Sequence, residues 1–223
     1  MKQFTAGDKC VSVYSGESGD LPVVYLNTFG NEGEAVYQEL KQEKGPNFHF
    51  VTISGLQWDH DMSPWKIPPI AKGDTPCTGG AGQYMEILRN EIVPKAESLI
   101  LGKPLWRGIA GYSLAGLFAV YSLYQTSLFS RAASISGSLW FPDFQKYVSS
   151  HNWKSVPDRV YFSLGDKEHR TKNPFLKGVR ERTEEICAFY TGKGIDTVLQ
   201  FNPGNHFQNE GHRIARGIRW ILR

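Results

Sequence analysis

A chain of 223 residues is long enough to bury a substantial core in one domain. Its 40% hydrophobic and 21% charged content is that of an ordinary soluble globular protein, and the 25 basic residues are scattered among 22 acidic ones. A net charge of +3 with no basic run argues against a nucleic-acid partner. No apolar stretch is long enough to span a bilayer, so no membrane role is expected. Met1 to Lys9 lacks the apolar segment of a signal peptide. Cys10, Cys77 and Cys187 are odd in number and widely spaced, which fits neither a disulfide framework nor a zinc pattern. The expectation is a cytoplasmic protein without metal or cofactor.

In chain order, Lys9 to Tyr14 alternates like a strand and ends in the turn cluster Ser15 to Asp20. Leu21 to Leu26 is a continuous apolar run, typical of a strand buried on both faces. Glu32 to Lys44 reads as a helix stopped by Gly45-Pro46, and Phe48 to Ile53 as a second buried strand. Ser54 to Gly80 shows no sustained period and holds Pro64, Pro68, Pro69 and Pro76. Loops this long are usually functional or disordered, and Trp58 and Trp65 argue for order, so an excursion covering the active end of the sheet is expected. Ala81 to Leu101 has helical spacing, with Pro94 expected to kink or split it. A strand then leads to Ser113, and Leu114 to about Thr126 is a helix apolar on nearly all sides. Strands are read at Arg131 to Ser136, Arg159 to Leu164 and Asp196 to Phe201. Helices are read from Pro142 to His151, Asn173 to Gly192 and His206 to Leu222. Strands and helices alternate throughout, which predicts a single α/β domain with a mainly parallel central sheet and its site at the carboxyl ends of the strands.

The segment Leu105 to Phe118 carries the chemistry: a short apolar run, a sharp Gly-Tyr-Ser turn and a long apolar stretch. That layout puts Ser113 at the apex of a strand–turn–helix elbow, written G-x-S-x-A, with the N–H of Leu114 at a helix start where it can receive negative charge. A plain helix-capping serine is the alternative. A serine hydroxyl needs a base. Of the six histidines, His206 directly follows the turn after the last strand, at the edge where Ser113 is expected. His49 starts a strand, His151 ends a helix, His60 lies in the excursion and His212 falls inside the last helix. The acid that orients the imidazole should follow a strand between serine and histidine, where Asp166 and Glu168 both stand. The order Ser, acid, His is that of an α/β-hydrolase. A second oxyanion donor is expected from the turn after Val23 to Leu26, at Thr28 or Phe29, with Phe29 preferred.

Gly111 to Ala119, followed by Ser136-Gly137-Ser138-Leu139-Trp140, resembles the esterase D-type α/β-hydrolases. That group includes feruloyl esterases, enterobactin and salmochelin esterases, S-formylglutathione hydrolases and mycolyltransferases. Asp61-Met62-Ser63-Pro64, Gly79-Gly80-Ala81, Glu91 to Pro94 and Gly204-Asn205-His206-Phe207 are similar to further patterns of the group. The resemblance implies Ser113 as nucleophile and His206 as base, and it favours Glu168 over Asp166 as the acid. Ala115 stands where glycine is usual, and His60 where arginine is common. The chain is short for the group, which implies that no N-terminal substrate-binding domain is present.

The function expected is hydrolysis of a small-molecule carboxylic ester through an acyl-enzyme, with Trp58, Trp65 and Trp140 as candidates for a substrate pocket. Acyl transfer by the same triad and a non-catalytic binding protein on the same fold are the alternatives. Asp59-His60-Asp61 lacks metal-ligand spacing.

Overall fold

The computed structural model describes residues 1–43 and 45–223. A hairpin opens the chain, with β1 (Lys2–Ala6) antiparallel to β2 (Lys9–Tyr14). β3 (Val23–Asn27) is buried along its length, α1 (Gly33–Gln42) follows, and β4 (His49–Ser54) runs parallel to β3 and antiparallel to β2. The excursion holds a one-turn helix, α2 (Trp58–Asp61), and a ribbon of β5 (Lys66–Ile67) against β6 (Cys77–Thr78). α3 (Ala81–Ile87) passes through a π-helical turn (Leu88–Ile92) into α4 (Val93–Glu97). Next come β7 (Arg107–Tyr112), α5 (Leu114–Gln125), β8 (Arg131–Ile135), α6 (Phe144–Ser150) and β9 (Arg159–Gly165). α7 (Pro174–Lys177), α8 (Val179–Gly192), β10 (Asp196–Asn202) and α9 (Glu210–Ile221) complete the chain.

Among the described residues eight strands form one sheet in the order β1-β2-β4-β3-β7-β8-β9-β10, parallel from β4 onward. A parallel sheet needs cover on both faces, and the strand sequences divide accordingly. On β3, Val23 and Tyr25 enter one core while Val24 and Leu26 enter the other. The first core is closed by α3, α5, α6 and α8 through Tyr84, Leu117, Phe144 and Ile186. The second is closed by α1 and α9 through Val36, Leu40, Ile214 and Ile218. The result is the three-layer α/β architecture that the alternating pattern predicts. No helix among the described residues is long and apolar enough to cross a membrane.

Several element boundaries differ from the sequence reading, each for a local reason. β1 pairs on one side only, at the sheet edge, and its alternation is too shallow to stand out. α1 spans Gly33–Gln42, and the expected end at Lys44 lies outside the described residues. Ahead of Pro94 the helix is divided by the π-helical turn: the N–H of Val93 bonds to the carbonyl of Leu88, and this wider turn lets the chain pass a proline that cannot donate. The expected helix from Asn173 is two helices meeting at Gly178, with Asn173 Oδ1 accepting from the N–H groups of Phe175 and Leu176. The helix after Pro142 begins at Phe144, behind a left-handed Asp143. The last helix begins at Glu210, behind a left-handed Asn209, so His206 lies on a loop rather than on a helix.

The excursion is tied to the sheet by a buried ion pair. Lys9 Nζ on β2 lies 2.8 Å from Asp61 Oδ2 and 2.7 Å from Asp8, with Lys9 2% and Asp61 5% exposed. Asp61 also accepts from the N–H of Gln57, and the buried Ser63 hydroxyl accepts from the N–H of Gly79 across the base of the loop. Removing one partner of such a pair strands the other charge. Lys9→Met is therefore expected to lower the unfolding free energy by about 3–5 kcal/mol, and Lys9→Met/Asp61→Leu by clearly less, as measured by urea denaturation.

Candidate active site

β7 delivers the chain to Ser113, whose backbone sits at φ 57° and ψ −122° before α5 begins. Few non-glycine residues adopt a positive φ, and here it turns the hydroxyl out of the strand–helix junction. The Ser113 N–H donates to the Ile135 carbonyl, and its own carbonyl accepts from Leu117 and Ser138. The tightness of the turn dictates its small residues. A Cβ on Gly111 would lie 2.3 Å from the carbonyl of Ala115, and one on Gly116 would lie 2.9 Å from Gly137 Cα. Ala115 itself is fully buried, and alanine is small enough to fill a position where the resemblance leads one to expect glycine.

His206 Nε2 lies 3.1 Å from Ser113 Oγ, and His206 Nδ1 lies 2.8 Å from Glu168 Oε2. Its loop is fixed by the Tyr112 hydroxyl, which donates to the His206 carbonyl at 2.6 Å. The other carboxylate oxygen of Glu168 accepts from the Ser136 hydroxyl at 2.7 Å, the Gly165 N–H at 2.5 Å and Arg213 Nη2 at 2.6 Å. Burial alone would raise the Glu168 pKa. The hydrogen bond and charge of His206, the hydrogen bond from Arg213 and the Gly165 N–H outweigh it and hold the carboxyl at about 2, below its ordinary 4.5. Glu168 is thus a carboxylate across the neutral pH range. Asp166 serves another purpose. Its Oδ1 accepts from the Gly204 N–H at 2.8 Å, which ties the turn after β9 to the loop that carries His206.

Four of the five remaining histidines are engaged elsewhere. His49 is buried and accepts from the Gly16 N–H, His60 contacts Thr78 and Gln83, His151 stacks on Tyr147, and His212 faces Glu39. The Asp59–Asp61 stretch makes no metal cage; among the described residues no group of three ligating side chains converges.

Ser113 and His206 border a cavity of about 560 Å³ whose apolar walls include Trp58, Ile67, Ile70, Trp140 and Leu176. Trp58 and the ribbon of the excursion, within residues 54–80, line one side of it. A smaller chamber of about 330 Å³ also meets Ser113 and His206 and is bounded by Asn27, Glu32, Tyr112 and Glu210. Trp65, expected in the pocket, lines neither chamber. Its Nε1 donates to the Pro142 carbonyl and its ring packs on Phe141, Phe144 and Tyr147, anchoring the excursion instead.

Leu114 opens α5 and lines the main cavity; the first N–H groups of a helix have no acceptor within it, so this one is available to an anion. On the turn after β3 the Thr28 N–H is bound to the Ile53 carbonyl at 2.9 Å. The Phe29 N–H donates to Glu32 Oε1 at 2.6 Å, beside both chambers.

Arg213, Ser136 and Glu32 were not among the residues expected at the site. Arg213 is 1% exposed and also reaches the Asn205 carbonyl. It could have been noticed as a lone charge on the apolar stripe of α9, beside Ile214, Gly217 and Ile218, where a cation persists only with a buried partner.

Known proteins share this fold. A curated relative, the uncharacterized protein YbbA of Bacillus subtilis (strain 168), is 26% identical over 220 residues, covering 93% of this chain and 88% of its own. The solved IroE-like serine hydrolase of Shewanella oneidensis superposes with a TM-score of 0.76 at 22% identity, over 95% of this chain and 75% of its own. The siderophore hydrolase EstA of Aspergillus nidulans gives 0.73 at 17% identity, over 96% and 89%. These likenesses show the α/β-hydrolase fold. The family model described as "Putative esterase" matches residues 10–198, and the chain belongs to that family of ester-hydrolysing enzymes.

Proposed function

We propose that the chain is a serine esterase that cleaves a small-molecule carboxylic ester through an acyl-enzyme, working as one domain with the 54–80 excursion as part of its pocket. The observation that carries this reading is the relay Ser113–His206–Glu168, with contacts of 3.1 and 2.8 Å, at the edge of an apolar cavity. Ser113 Oγ attacks the ester carbonyl carbon as His206 Nε2 takes its proton. The charge that develops on the carbonyl oxygen is received by the Leu114 N–H, with Phe29 as the second donor. Collapse expels the alcohol, which leaves with the proton from His206. A water then attacks the acyl-enzyme with His206 again as base, releasing the acid and restoring Ser113. Glu168 stays ionised throughout, fixing the imidazole tautomer and stabilising its cation.

The apolar main chamber suits the acyl part of the ester, flanked by Trp58 and Trp140. The test is a fluorophosphonate probe followed by peptide mass spectrometry, together with a panel of aryl, feruloyl, thioester and siderophore-lactone substrates. The siderophore lactones enter because EstA bears that name. Labelling at Ser113 and turnover of at least one substrate are expected. Labelling elsewhere, or none, refutes the reading. Added alcohol acceptors separate hydrolysis from acyl transfer, since a transferase would yield new esters in place of free acid.

A further inference from the structure

The turn after β3 already holds an anion. The Glu32 carboxylate accepts from two consecutive backbone N–H groups, Phe29 to Oε1 at 2.6 Å and Gly30 to Oε2 at 2.8 Å. The neighbouring Thr28 N–H is bound to the Ile53 carbonyl at 2.9 Å. Every backbone N–H from Thr28 to Gly30 is therefore engaged by an acceptor of the chain itself. Successive N–H groups of this kind form an anion-binding concavity, and charge makes their bonds to a carboxylate strong. Glu32 immediately precedes α1, yet its side chain makes no capping bond there and turns back to Phe29. It forms no ion pair with Lys or Arg among the described residues. It borders the same small chamber as Ser113 and His206.

Two negative charges cannot share one N–H. Building on the serine-esterase reading, we propose that Glu32 is a resident occupant of the oxyanion hole, which the tetrahedral intermediate must displace from Phe29. The carbonyl oxygen of a bound ester is nearly neutral and competes poorly for the N–H, whereas the oxyanion competes well. The resident carboxylate therefore penalises the transition state more than it penalises substrate binding. It also places a negative charge next to the one being formed. The site is self-restrained, and esters that fill the small chamber and push the Glu32 carboxylate aside are turned over fastest.

Glu32→Gln tests this by removing the charge while keeping a side chain of the same length that still accepts one N–H bond. For a small aryl ester, kcat is expected to rise about tenfold with KM little changed, a fraction of what a whole oxyanion donor contributes. A boronic acid, which becomes a tetrahedral anion on Ser113, should bind more tightly by a similar factor. Glu32→Ala should move both readouts the same way, and it stands in if the glutamine variant does not fold. Unchanged or reduced kcat and boronate affinity in a variant whose Tm matches the wild type would overturn the proposal, since Glu32 would then only brace the loop. Fluorophosphonate labelling separates the two levels. Labelling of Ser113 without a gain defeats the Glu32 proposal alone, whereas no labelling of either protein defeats the esterase reading and this one with it.

Discussion

Ser113→Ala is expected to cut kcat on a small aryl ester by about a millionfold, the scale on which removal of a triad nucleophile acts in other serine hydrolases. The hydrogen bonds of Ser113 Oγ explain why stability should survive: among the described residues it pairs with His206 Nε2 at 3.1 Å and Ser138 Oγ at 3.4 Å, and removing one oxygen empties little packed volume. The backbone at φ 57° costs alanine about what it costs serine, because both carry a Cβ. Thermal melts should therefore stay within about 2 °C of the wild type, in keeping with a change well below 1 kcal/mol. His206→Ala should be nearly as damaging to turnover. His212→Ala should leave kcat/KM intact, since that ring faces Glu39 on α1. A Ser113→Ala protein with full activity would show that the serine at the elbow is a structural residue and that hydrolysis occurs elsewhere.

The site was legible to the extent that covalent order and burial determine it. Val23–Leu26 and Val160–Phe162 are continuous apolar runs because their strands are covered on both faces, and together with the alternation of strands and helices this points to a parallel sheet. Ser113 is visible because a turn this tight excludes side chains at Gly111 and Gly116, which leaves a spacing in the sequence. What could not be read are contacts made across the fold by side chains with several possible partners. Glu168 and Asp166 are two carboxylates on one turn that spacing alone does not separate; the resemblance favours Glu168, and the fold sets Glu168 against His206 and Arg213 and Asp166 against the Gly204 N–H. Trp65 and Trp58 belong to the same aromatic excursion. The direction in which the excursion folds, pinned by Lys9 and Asp61, sends one into the pocket and the other onto α6. Glu32 reads as an ordinary acidic residue at a helix start until the turn places two N–H groups within its reach.

Glu168→Gln is expected to lower kcat by up to about ten-thousandfold, although it changes one atom. The carboxylate accepts the Nδ1 proton of His206, which leaves Nε2 free to accept from Ser113. Arg213, Ser136 and the Gly165 N–H all donate to the other oxygen, Oε1, so a glutamine will turn its carbonyl there and its NH₂ toward His206. Nδ1 must then accept, the ring proton moves to Nε2, and the imidazole can no longer take the serine proton. Asp166→Asn should spare activity, because an amide oxygen can still accept from the Gly204 N–H. The same constellation sets an acid limit on stability. Glu168 titrates at about 2 in the folded protein against an ordinary 4.5, so it favours folding above pH 4.5 and loses that contribution as pH falls from 4.5 toward 2. The shift corresponds to about 3 kcal/mol. Arg213→Met removes the cation that, with His206, holds this carboxyl down. It should cost about 3–5 kcal/mol at pH 7, since it leaves a buried carboxylate without its guanidinium. In urea unfolding the wild type should lose about 1 kcal/mol of the Glu168 contribution between pH 7 and pH 4, and most of the remainder as pH falls toward 2. Arg213→Met should lose less over the same interval, because its Glu168 titrates closer to 4.5 and the folded and unfolded chains then take up that proton together. Equal stability of the two proteins at pH 7 would mean that the Arg213–Glu168 pair is not what keeps the acid ionised beneath His206.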